Sequence, residues 1–259
     1  MFRGGVIGSP VQHSLSPALH RAAFDYLGIE GTSLPIDTAG ESPEAVAVLL
    51  RNYDALSVTF PLKEAAFELC DNVDEIARTV GAVNTVRYFD GELLGRNVDG
   101  EGFYRAIVDE LDVDVRDANV TVLGAGGAAR SIVEALLRHG AGAIDLLVRQ
   151  DRGQGGWFND DRVRITTSSQ MVAELVINAT PTSLTNQTLD LPDVNGAHET
   201  AYVDLTYSPA VTPWMLERAR SSERVANGLG MLIWQAKLQL EWWLNAEIPV
   251  EVLKSAVSS

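Results

Sequence analysis

Short apolar runs alternate with stretches whose apolar positions recur at helical spacing, the pattern of β and α units laid around a mainly parallel sheet. In the first half the runs predict strands at Gly4–Ile7, Thr32–Ile36, Ala55–Val58 and Ala82–Arg87. The stretches between them predict helices at Ser16–Leu27, Glu41–Asn52 and Lys63–Leu69. Asp90-Gly91 between apolar segments is a tight hairpin turn, because both positions tolerate positive φ. A helix over Gly100–Leu111 leads into the second half. There the segment NVTVL from Asn119 is apolar nearly throughout, so its strand is expected to be buried on both faces. A helix at Gly127–His139 follows, then strands at Ala143–Val148, Val163–Thr166, Leu175–Asn178 and Tyr202–Leu205. Residues 151–159, rich in Gly, Asp and Gln, read as a loop. A last long helix, Leu229–Asn245, carries Trp234, Trp242 and Trp243, which are expected to pack in a core or line an interface such as that of a homodimer. The chain is therefore α/β.

Its 259 residues suit two domains of ordinary size. No apolar run approaches the roughly 20 residues that span a bilayer. The start MFRGGVIGSP lacks the basic and hydrophobic regions of a secretory signal. Cys70 is the single cysteine, so no internal disulfide forms, and the scattered histidines show no metal-binding spacing. A cytoplasmic protein without a metal is the simple reading. Net charge is −15, which repels nucleic acid and anionic membranes and argues against both as partners. The acidity fits either an ordinary acidic enzyme or a halophilic one, whose short acidic side chains keep the surface hydrated in salt. The scarcity of lysine (Lys63, Lys237 and Lys254 only) favours the second.

The run Gly124-Ala125-Gly126-Gly127-Ala128-Ala129 fits G-x-G-x-x-G/A and lies between a buried strand and a helix. The first glycine permits the turn, the second lets backbone approach a pyrophosphate, and the small last residue packs helix on strand. The helix N-terminus then offers N–H groups and a positive dipole end to the phosphates of a dinucleotide. At the end of the next strand, where an acid would hold a free ribose 2′-hydroxyl, stands Arg149, with Arg152 close behind. Arginine there neutralises a 2′-phosphate, which favours NADP. Asp145 and Asp151 flank it and keep NAD as the alternative.

Four polar blocks in the first half make little sense as core. GSPVQHSLSPALH puts Ser14 and Ser16 at a helix start, where they could cap the helix or cradle a carboxylate. LSVTFPLK offers Thr59 and Lys63, GAVNT offers Asn84, and GRNVDGEGF offers Asn97 and Asp99. With GAGGAAR, NATPTS, DLTYSP and NGLGMLIWQA, these blocks resemble shikimate dehydrogenase along nearly the whole chain and in the same order. The resemblance implies an N-terminal α/β substrate domain (1–98, rejoined by 228–259) and an inserted Rossmann-like NADP domain (99–227). It also implies Lys63 and Asp99 as the catalytic pair. It places Ser14, Ser16, Thr59, Lys63, Asn84, Asp99, Tyr207 and Gln235 around the substrate. Gly124, Ala125, Gly126, Gly127, Ala128, Arg149, Arg152, Thr180, Leu205, Gly228 and Met231 would then border the cofactor. Three positions depart from the family pattern: Ser57 for an asparagine before V-T, Gln150 in the cofactor block, and Ser183 for a glycine.

The implied activity is reversible reduction of 3-dehydroshikimate to shikimate with NADPH. As a ketone is reduced its oxygen gains negative charge, which a lysine ammonium stabilises and protonates. Lys63 is read as acid/base and Asp99 as the carboxylate that orients it; an exposed ion pair is the plainer alternative. Two other functions fit the same blocks: a quinate/shikimate dehydrogenase using NAD, and a non-catalytic homologue that senses its ligands.

Overall fold

The computed structural model describes residues 1–150, 158–180 and 196–258. The chain divides into two compact units: Met1–Gly102 with Leu232–Ser259, and Phe103–Met231.

The first unit begins β1 (Phe2–Gly8), α1 (Ser16–Leu27), β2 (Gly31–Asp37), α2 (Pro43–Arg51), β3 (Ala55–Val58) and α3 (Lys63–Leu69). It continues β4 (Asn72–Val73), α4 (Glu75–Val80), β5 (Thr85–Phe89), β6 (Glu92–Arg96) and the start of α5 (Asp99–Leu111). The sheet order is β2-β1-β3-β5-β6-β4. β1 runs parallel to β2 and β3, whereas β5 is antiparallel to both β3 and β6. Ile7, Leu50, Leu56, Val83, Val86 and Leu93 close the core on one face of this mixed sheet. Asp90 (φ 53) and Gly91 (φ 85) make the β5–β6 turn, both left-handed as a tight hairpin of this hand requires.

The expected strand Ala82–Arg87 begins only at Thr85 and extends to Phe89. Ala82 N–H bonds to the Ala77 carbonyl at the end of α4 and Val83 N–H to the Lys63 carbonyl, so neither joins a ladder. The helix expected from Glu41 starts at Pro43, because the Ser42 side chain caps it by accepting from Ala45 N–H at 3.2 Å.

The second unit holds β7 (Asn119–Leu123), α6 (Gly127–Arg138), β8 (Ala143–Leu147), β9 (Val163–Thr166), β10 (Ala173–Asn178), β11 (Gly196–Asp204), α7 (Pro213–Arg218) and β12 (Val225–Asn227). All pairs are parallel, in the order β12-β11-β10-β7-β8-β9. The strands successive from β7 therefore build outward on both of its sides, the doubly wound arrangement whose ligands lie at the carboxyl ends of the strands. Val120 and Val122 of β7 are fully buried, as the apolar run predicts.

The last helices are α8 (Leu229–Leu244) and α9 (Val250–Ala256). From Leu232 onward α8 belongs to the first unit. Trp243 is buried there, donates from Nε1 to Thr85 Oγ1 at 2.8 Å, and meets His20 edge-on at 4.9 Å. Trp242 lies under the Arg96 guanidinium at 4.5 Å. These two rings are used inside the unit. Gly102 of α5 makes room for the crossing: a Cβ there would sit 2.7 Å from the Gln235 nitrogen.

Candidate functional site

Lys63 opens α3, immediately after the turn that ends β3. Its Nζ donates to Asp99 Oδ2 at 2.5 Å. Asp99 opens α5 and its side chain is only 7% exposed, against 22% for Lys63. The pair is thus largely withdrawn from water, where a charge-assisted bond holds its geometry better than an exposed one. The second carboxylate oxygen, Oδ1, accepts from Asn84 Nδ2 at 2.7 Å. Asn84 is itself fixed, since its Oδ1 accepts from Val98 N–H at 2.9 Å. Asn97 ties the same corner: it accepts from Asp99 N–H at 3.2 Å and donates to the Ala82 carbonyl at 2.9 Å. Lys63, Asn84 and Asp99 are therefore brought together by direct bonds, with Asn84 and Asn97 turned inward as supports.

Ser14 and Ser16 stand at the start of α1, where Ser14 Oγ accepts from Ser16 N–H at 3.2 Å. That is a local bond across two residues rather than a cap, since Leu15 holds the N-cap position of α1 and no side chain caps the helix, and Ser16 is buried. Thr59 lies in the turn after β3, and its backbone bonds to Ile7 and Leu62. Gly8 lets that turn lie over the end of β1, for a Cβ there would meet Thr59 Cγ2 at 2.5 Å. Gln235 is buried on α8 and is linked to the Lys63–Asp99 corner through Gln239, which donates to Gln235 Oε1 at 2.5 Å and to the Asn84 carbonyl at 3.2 Å. Gln239 in turn accepts from Ser57 Oγ at 2.5 Å, and Ser57 meets His20 Nε2 at 3.2 Å. His20 is fully buried; desolvation, aided by the nearby Arg21 charge, pushes its pKa down to about 3. Residue-by-residue reading missed His20 and Gln239. The signal for Gln239 was a second glutamine one turn beyond Gln235 on the same helix.

In the second unit Gly124 adopts φ 94, and a Cβ there would meet Thr180 Cγ2 at 2.9 Å. Gly126 precedes α6, which has no side-chain cap and no acidic residue in its first turn. A Cβ at Gly126 would meet nothing within 4 Å, and one at Gly127 only the end of Arg130 at 3.9 Å. Gly124 N–H is taken by the Leu147 carbonyl at 2.8 Å, whereas the start of α6 at Gly126 and Gly127 is uncapped and faces open space. That is the fit a pyrophosphate requires.

On one side of this loop, β8 ends beside β7 with Leu147 opposite Leu123, and Arg149 follows, exposed. Asp145 does not compete for a ribose. It is buried within β8, where Arg164 grips both its oxygens at 2.6 and 2.9 Å and Ser169 also bonds to it. On the other side, Thr180 follows β10 and donates to Asn178 Oδ1 at 2.7 Å. Asn178 donates to the buried Asp204, which also accepts from Thr212. Leu205 and Gly228 meet so closely that a Cβ on Gly228 would lie 2.0 Å from the Leu205 carbonyl oxygen. Leu205 and Met231 both pack on the core of the second unit. Tyr207, expected beside the substrate, stands half-buried in the second unit, in the turn after β11. Arg152, Asp151 and Ser183 lie outside the described residues. Among the described residues, no group of three or more His, Cys, Asp or Glu is placed to hold a metal.

The sequence compares closely with known proteins. The shikimate dehydrogenase substrate binding domain matches residues 6–86 and the shikimate 5′-dehydrogenase C-terminal domain matches residues 228–257. The shikimate dehydrogenase (NADP(+)) of Methanopyrus kandleri is 36% identical, over 98% of this chain and 93% of that one. Among solved structures, shikimate dehydrogenase from Aquifex aeolicus superposes with a TM-score of 0.88 at 27% identity, covering 100% of this chain and 98% of that one. The Thermus thermophilus enzyme, solved with NADP(H) and shikimate, gives 0.86 at 32% identity, covering 99% and 98%. With matches of this identity along nearly its full length, the chain belongs to the shikimate dehydrogenase family.

Proposed function

We propose that the protein interconverts 3-dehydroshikimate and shikimate with NADP(H), using Lys63 as the proton carrier and Asp99 as the group that holds it. The observation that carries this reading is the withdrawn Lys63–Asp99 pair, with Asn84 fixing the far oxygen of the carboxylate. Bound NADPH supplies the hydride. Lys63 stabilises the charge that develops on the ketone oxygen and delivers its proton there; in the reverse direction it takes the proton from the hydroxyl. Asp99 keeps the ammonium on one vector and is free to accept a hydrogen bond from a neighbouring ring hydroxyl. Ser14, Ser16, Thr59 and Gln235 are the groups for the ring acid's carboxylate and hydroxyls, and Tyr207 completes the set. Gly124 to Ala128 and Thr180 would hold the pyrophosphate region, Arg149 and Arg152 the 2′-phosphate, and Leu205, Gly228 and Met231 the nicotinamide end. The engagement of Asp145 by Arg164 supports NADP over NAD.

Two wider readings accompany this one. The single cysteine suits a reducing cytoplasm. The net charge of −15 with so few lysines suits a salt-rich interior.

Parallel assays with shikimate or quinate, and NADP+ or NAD+, test the reading. Turnover should be fastest with shikimate and NADP+. Binding of either ligand without turnover would make the protein a ligand sensor, and preference for quinate with NAD+ would replace the substrate assignment.

A further inference from the structure

Ser57 stands where the family pattern has an asparagine, and its hydroxyl opens onto a run of buried polar side chains that leads to Gln235. The atoms in this run have fixed polarity. Gln239 faces the Asn84 carbonyl, which can only accept, so the atom it presents there is Nε2 at 3.2 Å. Its other end is therefore Oε1, which faces Ser57 Oγ at 2.5 Å, and Ser57 must donate. Having spent its proton, Ser57 can only accept from His20 Nε2 at 3.2 Å. Burial keeps the ring neutral, so with Nε2 donating His20 Nδ1 accepts from Ser33 Oγ at 2.8 Å. Ser33, His20, Ser57, Gln239 and Gln235 are all buried.

The same logic runs forward to Gln235. Gln239 Nε2 meets it at 2.5 Å, so the Gln235 atom there is the carbonyl oxygen. Gln235 Nε2 is left on the opposite side, where one N–H goes to the Leu232 carbonyl at 2.8 Å. The second N–H is what Gln235 has to give a ligand.

We propose that Gln239 is a positioning residue for the substrate: with Ser57 and neutral His20 it locks the Gln235 carboxamide with its oxygen turned inward, so that Gln235 meets the ring acid as a hydrogen-bond donor. The locked amide recognises an acceptor, a hydroxyl oxygen or a carboxylate oxygen, and disfavours a group that must donate. Without the lock the amide flips and rotates, and each productive encounter costs the entropy of ordering it. This inference rests on the reading of Gln235 as a substrate ligand.

The experiment compares Gln239→Met, Gln235→Met and the double variant with wild type, using shikimate and NADP+. Gln239→Met keeps length and apolar volume but removes both polar ends. KM for shikimate should rise roughly three- to tenfold, the range of one buried hydrogen bond. KM for NADP+ and kcat should stay within about twofold, a split that a general loss of structure would not produce. In KM for shikimate the double variant should match Gln235→Met alone, because the proposed effect of Gln239 on the substrate passes through Gln235. A wild-type KM in Gln239→Met, or effects that multiply in the double variant, overturns the proposal. If Gln239→Met does not fold, Ser57→Ala cuts the same run one step earlier and should raise the same KM by a smaller factor; an unchanged KM there overturns it equally. Wild-type turnover with an unaltered KM in Gln235→Met overturns the role of Gln235 and the lock with it. No turnover in wild type instead refutes the functional reading.

Discussion

Asn84 donates from Nδ2 to Asp99 Oδ1 at 2.7 Å, on the carboxylate oxygen that Lys63 does not use. Each oxygen of Asp99 has its own partner, so the carboxylate cannot turn about its last bond without breaking one of them. Asn84→Leu removes one anchor and also the acceptor of Val98 N–H at the start of α5. Turnover should fall roughly ten- to a hundredfold, equivalent to about 1.4–2.8 kcal/mol, with a smaller change in KM for shikimate. Steady-state kinetics beside a thermal melt checks this, and a fall in stability without a fall in kcat would remove Asn84 from the chemistry.

Lys63→Met keeps the stem of the side chain and removes the proton it carries. We expect kcat to drop about 10²–10⁴-fold while KM for shikimate stays similar. Unchanged turnover would reject Lys63 as the acid/base.

Arg149 is exposed at the end of β8, with Asp145 of the same strand already held by Arg164. Arg149→Leu should raise KM for NADP+ about tenfold or more, as loss of a charge-assisted bond to a phosphate does, and leave KM for NAD+ within about twofold. Equal rises for both cofactors would mean that Arg149 touches the part they share.

His20 gives the first unit a pH-dependent stability whose sign is fixed by burial. Its pKa falls from 6.5 to about 3 in the folded protein. Above the ordinary value neither folded nor unfolded chain is protonated there, and the stability is complete. As pH falls, only the unfolded chain takes up the proton, so stability is lost through that window and levels off near the folded value. Urea unfolding followed from neutral pH to about pH 4 should show wild type losing roughly 2–3 kcal/mol more than His20→Gln. Parallel curves would show that the buried ring is not the group responsible.

Salt adaptation predicts a melting temperature that climbs with KCl into the molar range, by at least about 3 °C, the shift that about 1 kcal/mol makes in a chain of this size. Maximal stability at low salt would return the protein to the ordinary acidic class.

Several elements were legible because their apolar positions kept a clear period. Ser16–Leu27 and Lys63–Leu69 form as the spacing predicts, and so do β3 and β9. Short elements were missed for want of length. α4 has only 6 residues, although Asp74 caps its start and Gly81 at φ 67 ends it. α7 and β12 fell in a stretch where polar residues mask the period. At the site, Lys63, Asn84 and Asp99 could be picked as residue types, but the inward turn of Asn84 could not. It depends on β3, β6 and α5 meeting at one corner, which no local pattern states. Asp145 shows the converse. As a sequence position it looked available to a ribose, and only the β8–β9 pairing brings Arg164 to cover it.

The first unit is written in two pieces, residues Met1–Gly102 and Leu232–Ser259, and the second in one, Phe103–Met231. During synthesis the order of completion is therefore reversed. The ribosome joins the last residue of the second unit before it adds Gln239, which spans Ser57 and Asn84, or Trp243, which seals Thr85 and His20. The strands of the first sheet are all made before the insert, but the helices that cover Thr85 and Ser57 come only after it, so the first unit waits open on α8 and α9 while the second is completed.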